Sequence, residues 1–161
     1  MADPNGNGAN VGDSAPQLNI LAQYTKDLSF ENPNAPRSLA PQDRGPNISL
    51  QVKVNARQLA DADFEVSLIL EGQAGDGQNI LFKFELDYAG VFRIRNVSPQ
   101  SLPLVLMIEC PRLLFPFTRQ IIAEAVGNGG FLPFLMGPID FTALYQQRLA
   151  QGQTDPAVLA T

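Results

Sequence analysis

Histidine and tryptophan are absent from the 161 residues, and cysteine occurs once, as Cys110. Without histidine there is no Ser–His–Asp triad, no Cys–His dyad, no His-ligated zinc and no imidazole pH switch. A lone cysteine excludes an intrachain disulfide and a thiolate metal cluster. Basic charge is also scarce: 11 Lys and Arg stand against 16 Asp and Glu, a net charge of −5. Such a chain lacks the positive face that duplex nucleic acid or anionic lipid requires, so neither is expected as its main partner. Long apolar runs are missing too. Residues 102–108 and 131–139 fall far short of the ~20 needed to span a membrane, so direct membrane insertion is not expected. The polar, Gly- and Asn-rich start has neither the basic nor the apolar region of a secretion signal, and a cytoplasmic location is the expectation. The sequons at Asn47 and Asn96 are then chance matches.

What is present reads as one domain, residues 17–150, between a disordered tail at 1–16 and a flexible one at 151–161. Residues 17–31 alternate. Leu18, Ile20, Ala22, Tyr24, Leu28 and Phe30 share one side, and Thr25, Asp27, Ser29 and Glu31 the other. Lys26 breaks the pattern on the apolar side and Leu21 on the polar side. Period two predicts a half-buried strand. Pro33, Pro36, Pro41 and Pro46 make residues 32–46 a long extended loop, too long for a hairpin turn. Three more alternating stretches follow. They are marked by Ile48 to Val54, by Phe64 to Leu70 before the Gly75-Asp76-Gly77 turn, and by Ile80 to Tyr88 with Lys83, Glu85 and Asp87 opposite. Clean alternation predicts an antiparallel sheet with one wet face. After Ser98, a predicted N-cap, the period turns helical. Pro103, Pro111 and Pro116 predict a broken helix whose last piece runs from about 117 to 126, stopped by Gly127. An apolar loop, 129–138, leads to a second helix from 141 to about 151, capped by Asp140. Strands first and helices last make an α+β fold, with the helices covering the apolar side of the sheet.

Little of this assembles catalytic chemistry. Asp61 and Asp63 sit on a turn with no further oxygen ligands converging in sequence. The Gly127–Gly130 stretch follows a helix and lacks the Lys of a phosphate loop. Cys110 has no base to activate it and reads as a buried thiol. Arg93 and Arg95 read as the exposed side of a strand end. Two features are less ordinary. Parity puts Asp27, Glu31, Glu85 and Asp87 on the polar face, a potential acidic patch if strands one and four are neighbours. The helical third is also apolar on more than one side, more than one sheet can cover. The surplus predicts a subunit interface or grooves for apolar ligand.

Three motifs carry a resemblance. Residues 24–36, Tyr-Thr-Lys-Asp-Leu-Ser-Phe-Glu-Asn-Pro-Asn-Ala-Pro, look like the N-terminal signature of the SecB protein-export chaperones. Residues 110–119, Cys-Pro-Arg-Leu-Leu-Phe-Pro-Phe-Thr-Arg, are similar to their central motif, with Arg112, Phe117 and Thr118 departing from the usual Asn, Tyr and Ala. Gly130-Phe131-Leu132-Pro133 and the stretch from Pro138 to Leu144 resemble their final block. The resemblance implies a four-stranded Greek-key sheet with two C-terminal helices and a long Pro-rich crossover that sets strand one beside strand four. It implies a homotetramer, a dimer of dimers, with no cofactor and no enzymatic activity. The function implied is that of an ATP-independent cytosolic chaperone, which holds secretory precursors unfolded and hands them to the SecA motor.

The same resemblance places docking of SecA, including its basic zinc-bearing tail, on Asp27, Glu31 and Glu85, with Lys83 diluting that edge. Apolar side chains in a loop are least explained by core packing. Leu39, Phe131, Leu132, Phe134, Leu135 and Met136 are therefore the expected groove for unfolded clients. The surplus apolar helix assigns Leu106, Leu113, Leu114, Phe117 and Ile121 to the subunit interface. The alternative is an acidic oligomeric adaptor that binds one folded partner.

Overall fold

A computed structural model describes residues 15–152. The tails predicted at the two ends lie almost wholly outside these residues. Four strands form one antiparallel sheet: β1 (Gln17–Glu31), β2 (Ile48–Gln58), β3 (Asp63–Asp76) and β4 (Asn79–Arg95). The order is β1-β4-β3-β2, a Greek key in which residues 32–47 carry the chain across to the far edge. The crossover is fastened by its asparagines. Asn34 Nδ2 donates to the Ile80 carbonyl at 2.9 Å, Asn32 Nδ2 donates to the Gly129 carbonyl at 3.1 Å, and Ser38 Oγ donates to Asn32 Oδ1 at 2.6 Å.

Strict alternation fails in β1. Pairing with β4 shifts between Ile20 and Ala22 and again between Thr25 and Asp27, so Leu21 and Lys26 are extra residues of two β-bulges. Each bulge reverses the side to which following residues point. Ala22 and Tyr24, predicted inward, therefore share a side with Val91 and Ala89, opposite to the core. Gln23 and Thr25 turn toward the core side, where Gln23 Oε1 accepts from the Tyr88 hydroxyl at 3.0 Å. The two residues that broke the sequence pattern are the two bulge positions.

The remaining strands run longer than their alternation predicted. The bidentate pair of Arg93 with Asp63, at 2.7 and 2.9 Å, joins β4 to the start of β3. The carboxylate of Asp63 is thus taken up in structure.

The helical third differs more. The chain enters α1 (Leu102–Leu104), passes through a π-helical segment (Val105–Glu109) and continues as α2 (Cys110–Asn128) without a break. Pro111 sits in the first turn of α2, just after the wide π turn, where its missing N–H and its ring are accommodated. Pro116 lies inside α2, which runs on through it. Ser98 Oγ accepts from Ser101 N–H, so it caps a turn that leads into the helix, not the helix itself. The helix ends later than Gly127. Gly130 takes φ +95°, with its N–H on the Gly127 carbonyl and the Phe131 N–H on the Val126 carbonyl. That is the Schellman arrangement, and it needs glycine at 130. The last helix, α3 (Phe141–Ala150), is capped by Asp140 Oδ1 as expected.

α2 lies on β3 and β4 and scarcely reaches β1, while α3 packs chiefly on the π segment and reaches β2 through Arg148. The core lies between α2 and the inward residues of β3 and β4, with Phe82, Phe84, Leu86 and Phe92 among the largest buried side chains. The inward side of β1 remains open: Ile20 and Leu28 keep 42% and 45% of their surface.

Candidate functional site

The apolar loop after α2 is built on aromatic rings. Phe131 lies 5.0 Å from Phe82, which stacks with Phe30 at 5.9 Å, and Phe134 lies 6.4 Å from Phe84. These rings fix the loop, and the residues between them project. Leu132 is 90% exposed and Leu135 62%. The structure brings Leu39 of the crossover to the same place: a Cβ on Gly130 would fall 2.8 Å from Leu39 Cδ2. Met136 differs from expectation. It is buried in the chain's own core and presents no surface to a client.

The outward side of the sheet carries the carboxylates. Asp27 pairs directly with Asp87, Ser29 with Glu85, and Glu31 with Lys83. On the next strand Glu71 pairs directly with Glu85. Like charges facing each other across strands destabilise a sheet, and two such pairs lie side by side here. None of Asp27, Glu31, Glu71, Glu85 and Asp87 forms an ion pair among the described residues. The three residues expected at a docking face are therefore brought together, and Asp87 and Glu71 join them. Counting back from the β3–β4 turn sets Glu71 opposite Phe84, and only the one-residue shift between Ala74 and Gly75 brings it opposite Glu85, so sequence spacing alone misses this pair.

Beside this row, the face closes over Glu65. Its carboxylate takes hydrogen bonds from the Tyr24 hydroxyl, from Lys26 Nζ at 3.0 Å and from Arg57 Nε at 3.0 Å. Burial alone would raise the Glu65 carboxyl, but the bonds from Arg57, Tyr24 and Lys26 outweigh it and bring it down to about 2. Burial, then the bond to Glu65, pushes the Tyr24 phenol up to about 12. The outward face is thus wet along its acidic half and sealed here.

Cys110 is fully buried, and burial with Glu109 next to it pushes the thiol up to about 12. The unreactive state is set by that environment.

The residues assigned to an interface divide in two. Leu113 and Phe117 are 41% and 45% exposed along one side of α2, Ile121 is half-buried, and Phe117 stacks on Tyr88 at 6.2 Å. Leu106 and Leu114 are fully buried within the chain, contrary to expectation. Gly90 leaves room for Leu114 Cδ2, which would lie 3.1 Å from a Cβ there. The helix approaches the sheet closely enough to bury both leucines without a second subunit.

Two open clefts lie elsewhere. One, of about 610 Å³, runs between β2 and α3, where Arg148 NH1 donates to the Val54 carbonyl at 2.6 Å. The other, of about 680 Å³, lies between the crossover and the β3–β4 turn and is lined by Arg37, Ser38 and Asn79. Neither includes residues 131–136. Among the described residues no three Cys, Asp or Glu side chains are grouped to hold a metal, and no helix is long and apolar enough to cross a membrane.

Residues 12–152 match the family described as "Preprotein translocase subunit SecB". A protein-export protein SecB of Beijerinckia indica subsp. indica is 64% identical over 149 residues, 92% of this chain and 92% of its own. One from Methylocella silvestris is 62% identical over 94% of this chain and 93% of its own. One from Rhodopseudomonas palustris is 56% identical over 92% and 95%. Among solved structures, a SecB-like chaperone of Mycobacterium tuberculosis, in complex with a peptide from an antitoxin, has a TM-score of 0.62. That likeness covers 76% of this chain and 90% of the other at 14% identity, a likeness of fold. With the family match spanning the described residues and relatives at this identity over nine-tenths of the chain, the chain belongs to the SecB family of protein-export chaperones, which are not enzymes.

Proposed function

We propose that the chain works in the cytoplasm as a homotetramer that holds secretory precursors unfolded without ATP and delivers them to SecA. The observation that carries this reading is a division of surfaces. Exposed Leu132 and Leu135 stand over an aromatic bed on the inward side of the sheet, with Leu39 adjacent. Directly opposed carboxylates occupy the outward side. An unfolded segment offers apolar side chains in no fixed order. Shallow apolar contacts with Leu39, Phe131, Leu132, Phe134 and Leu135 suit many such segments weakly, and several copies in one assembly add avidity. The antitoxin peptide held by the mycobacterial neighbour is a ligand of the same general kind.

A basic partner suits the other side. The zinc-bearing tail of SecA is positively charged, and Asp27, Glu31 and Glu85, with Asp87 and Glu71 beside them, present it one continuous negative field. The open inward side of β1 and the stripe of Leu113 and Phe117 supply apolar surface for assembly.

The test of holding is a titration of reduced, unfolded precursors of unrelated sequence. Leu132→Ser with Leu135→Ser should weaken all of them by about tenfold, the effect of removing one to two kcal/mol of apolar contact. The variant should keep its fold, because both side chains are exposed. Undiminished binding places the groove elsewhere, and binding of a single folded partner only would make the protein an adaptor.

A further inference from the structure

The outward face of the sheet sorts its charges by position. Toward the start of β3, cations are taken up: Lys26 and Arg57 by Glu65, and Arg93 by Asp63. Farther along, Asp27 faces Asp87 and Glu71 faces Glu85, with no ion pair to any of them among the described residues. Yet a cation is at hand. Lys26 directly precedes Asp27 in the chain, and the bulge at Lys26 lets its side chain lie along the outward face beside the acids. Asp87 Oδ1, opposite Asp27, is buried and has no hydrogen-bond partner among the described residues. Lys26 nevertheless reaches past β4 to β3, where its Nζ lies 3.0 Å from Glu65 Oε1. Glu65 wins this competition because its side chain is 7% exposed and already ordered by Arg57 and Tyr24.

We propose that Glu65 is a positioning residue for the docking face: by capturing Lys26 and Arg57 it keeps Asp27, Asp87 and Glu85 unpaired, with Asp27 and Glu85 open to a basic partner. The consequence for partner binding rests on the docking role proposed above; the capture of Lys26 stands apart from it. Freed from Glu65, the Lys26 ammonium neutralises Asp27 or Asp87 at contact distance, well inside the ~10 Å over which salt leaves charges coupled.

The experiment is a titration of SecA at low ionic strength against wild type, Glu65→Gln, Lys26→Gln and the double variant, beside Asp27→Asn with Glu31→Gln. Glutamine keeps the size of Glu65 and an acceptor for Tyr24, and circular dichroism with light scattering reports the fold and assembly. Glu65→Gln should weaken SecA binding by about three- to tenfold, while Lys26→Gln alone stays within about twofold. Adding Lys26→Gln to Glu65→Gln should restore most of the loss. A purely structural role for Glu65 predicts the reverse, since the double variant keeps less of the network. Adding Arg57→Gln instead, equal in net charge, should restore less, because Arg57 lies on the far strand. A crystal structure of Glu65→Gln should show Lys26 Nζ within about 4 Å of Asp27 or Asp87. Full-strength SecA binding by Glu65→Gln, or no recovery in the double variant, overturns the proposal if the Asp27/Glu31 variant is weakened. If that variant also binds fully, the docking role fails first. The crystal structure then decides the capture, and Lys26 still lying against residue 65 overturns it.

Discussion

Glu65 joins both edges of the sheet through one carboxylate, with Tyr24 and Lys26 reaching from β1 and Arg57 from β2. Its carboxyl ordinarily titrates near 4.5 and is held at about 2 in the folded chain. The folded state therefore binds this proton less tightly than the unfolded state. The stabilisation is complete above about pH 4.5 and is lost as pH falls toward 2. Wild type should thus lose on the order of 2–3 kcal/mol across that window that Glu65→Gln does not lose. Urea-unfolding midpoints measured at several pH values check this; parallel acid profiles for the two proteins would contradict it. Little of this network was legible in the sequence. Lys26 and Leu21 stood out as misfits in an alternating strand, but alternation alone does not say whether a misfit is a buried anomaly or a bulge. The partner that decides the matter, Glu65, lies 39 residues away from Lys26.

At the scale of elements, the strands and α3 were legible because each announces itself locally. Period two marks β2, β3 and β4, and Asp140 caps α3 through its own side chain. The long helix was not legible. Pro103, Pro111 and Pro116 argue for breaks, and only the π turn ahead of Pro111, an event of backbone geometry, lets Leu102–Leu104 and Cys110–Asn128 follow one another without a gap. The end of α2 offers a paired test. Gly130 has φ +95° and Leu39 against it, whereas Gly127 is helical with only Pro133 Cγ at 3.6 Å from a would-be Cβ. Gly130→Ala should cost about 1–2 kcal/mol, and Gly127→Ala should stabilise by up to about 1 kcal/mol. Urea denaturation of the two variants decides it. The opposite order would mean that the helix stops at Gly127, where sequence spacing alone places the end.

At the scale of the whole molecule, apolar surface remains where no element of the chain covers it. Besides the loop residues Leu132 and Leu135, it includes Ile20 and Leu28 on the inward side of β1 and Leu113 and Phe117 on α2. The sequence displayed this surplus but could not apportion it. Leu106 and Leu114 have the same composition signal as Leu113, and only packing in the fold, for Leu114 the close approach at Gly90, separates core from surface. Light scattering at micromolar concentration should give a tetramer, and Leu113→Ser with Phe117→Ser should shift it to smaller species. A compact monomer at every concentration would contradict the assignment.

The proposed function divides between two surfaces, an apolar loop proposed to hold clients and an acidic face proposed to deliver them. Asp27 and Glu31 are exposed and form no ion pair among the described residues, and such charges contribute about 0–1 kcal/mol each to folding, so their removal spares the fold. The most direct measurement is a titration of SecA against wild type and Asp27→Asn with Glu31→Gln at two salt concentrations, on samples shown to bind unfolded precursor equally. The double variant should bind SecA severalfold more weakly at low salt, with the difference shrinking as salt rises. Equal affinity of the two proteins at low salt would show that Asp27 and Glu31 are ordinary solvated surface and that delivery does not run through this face.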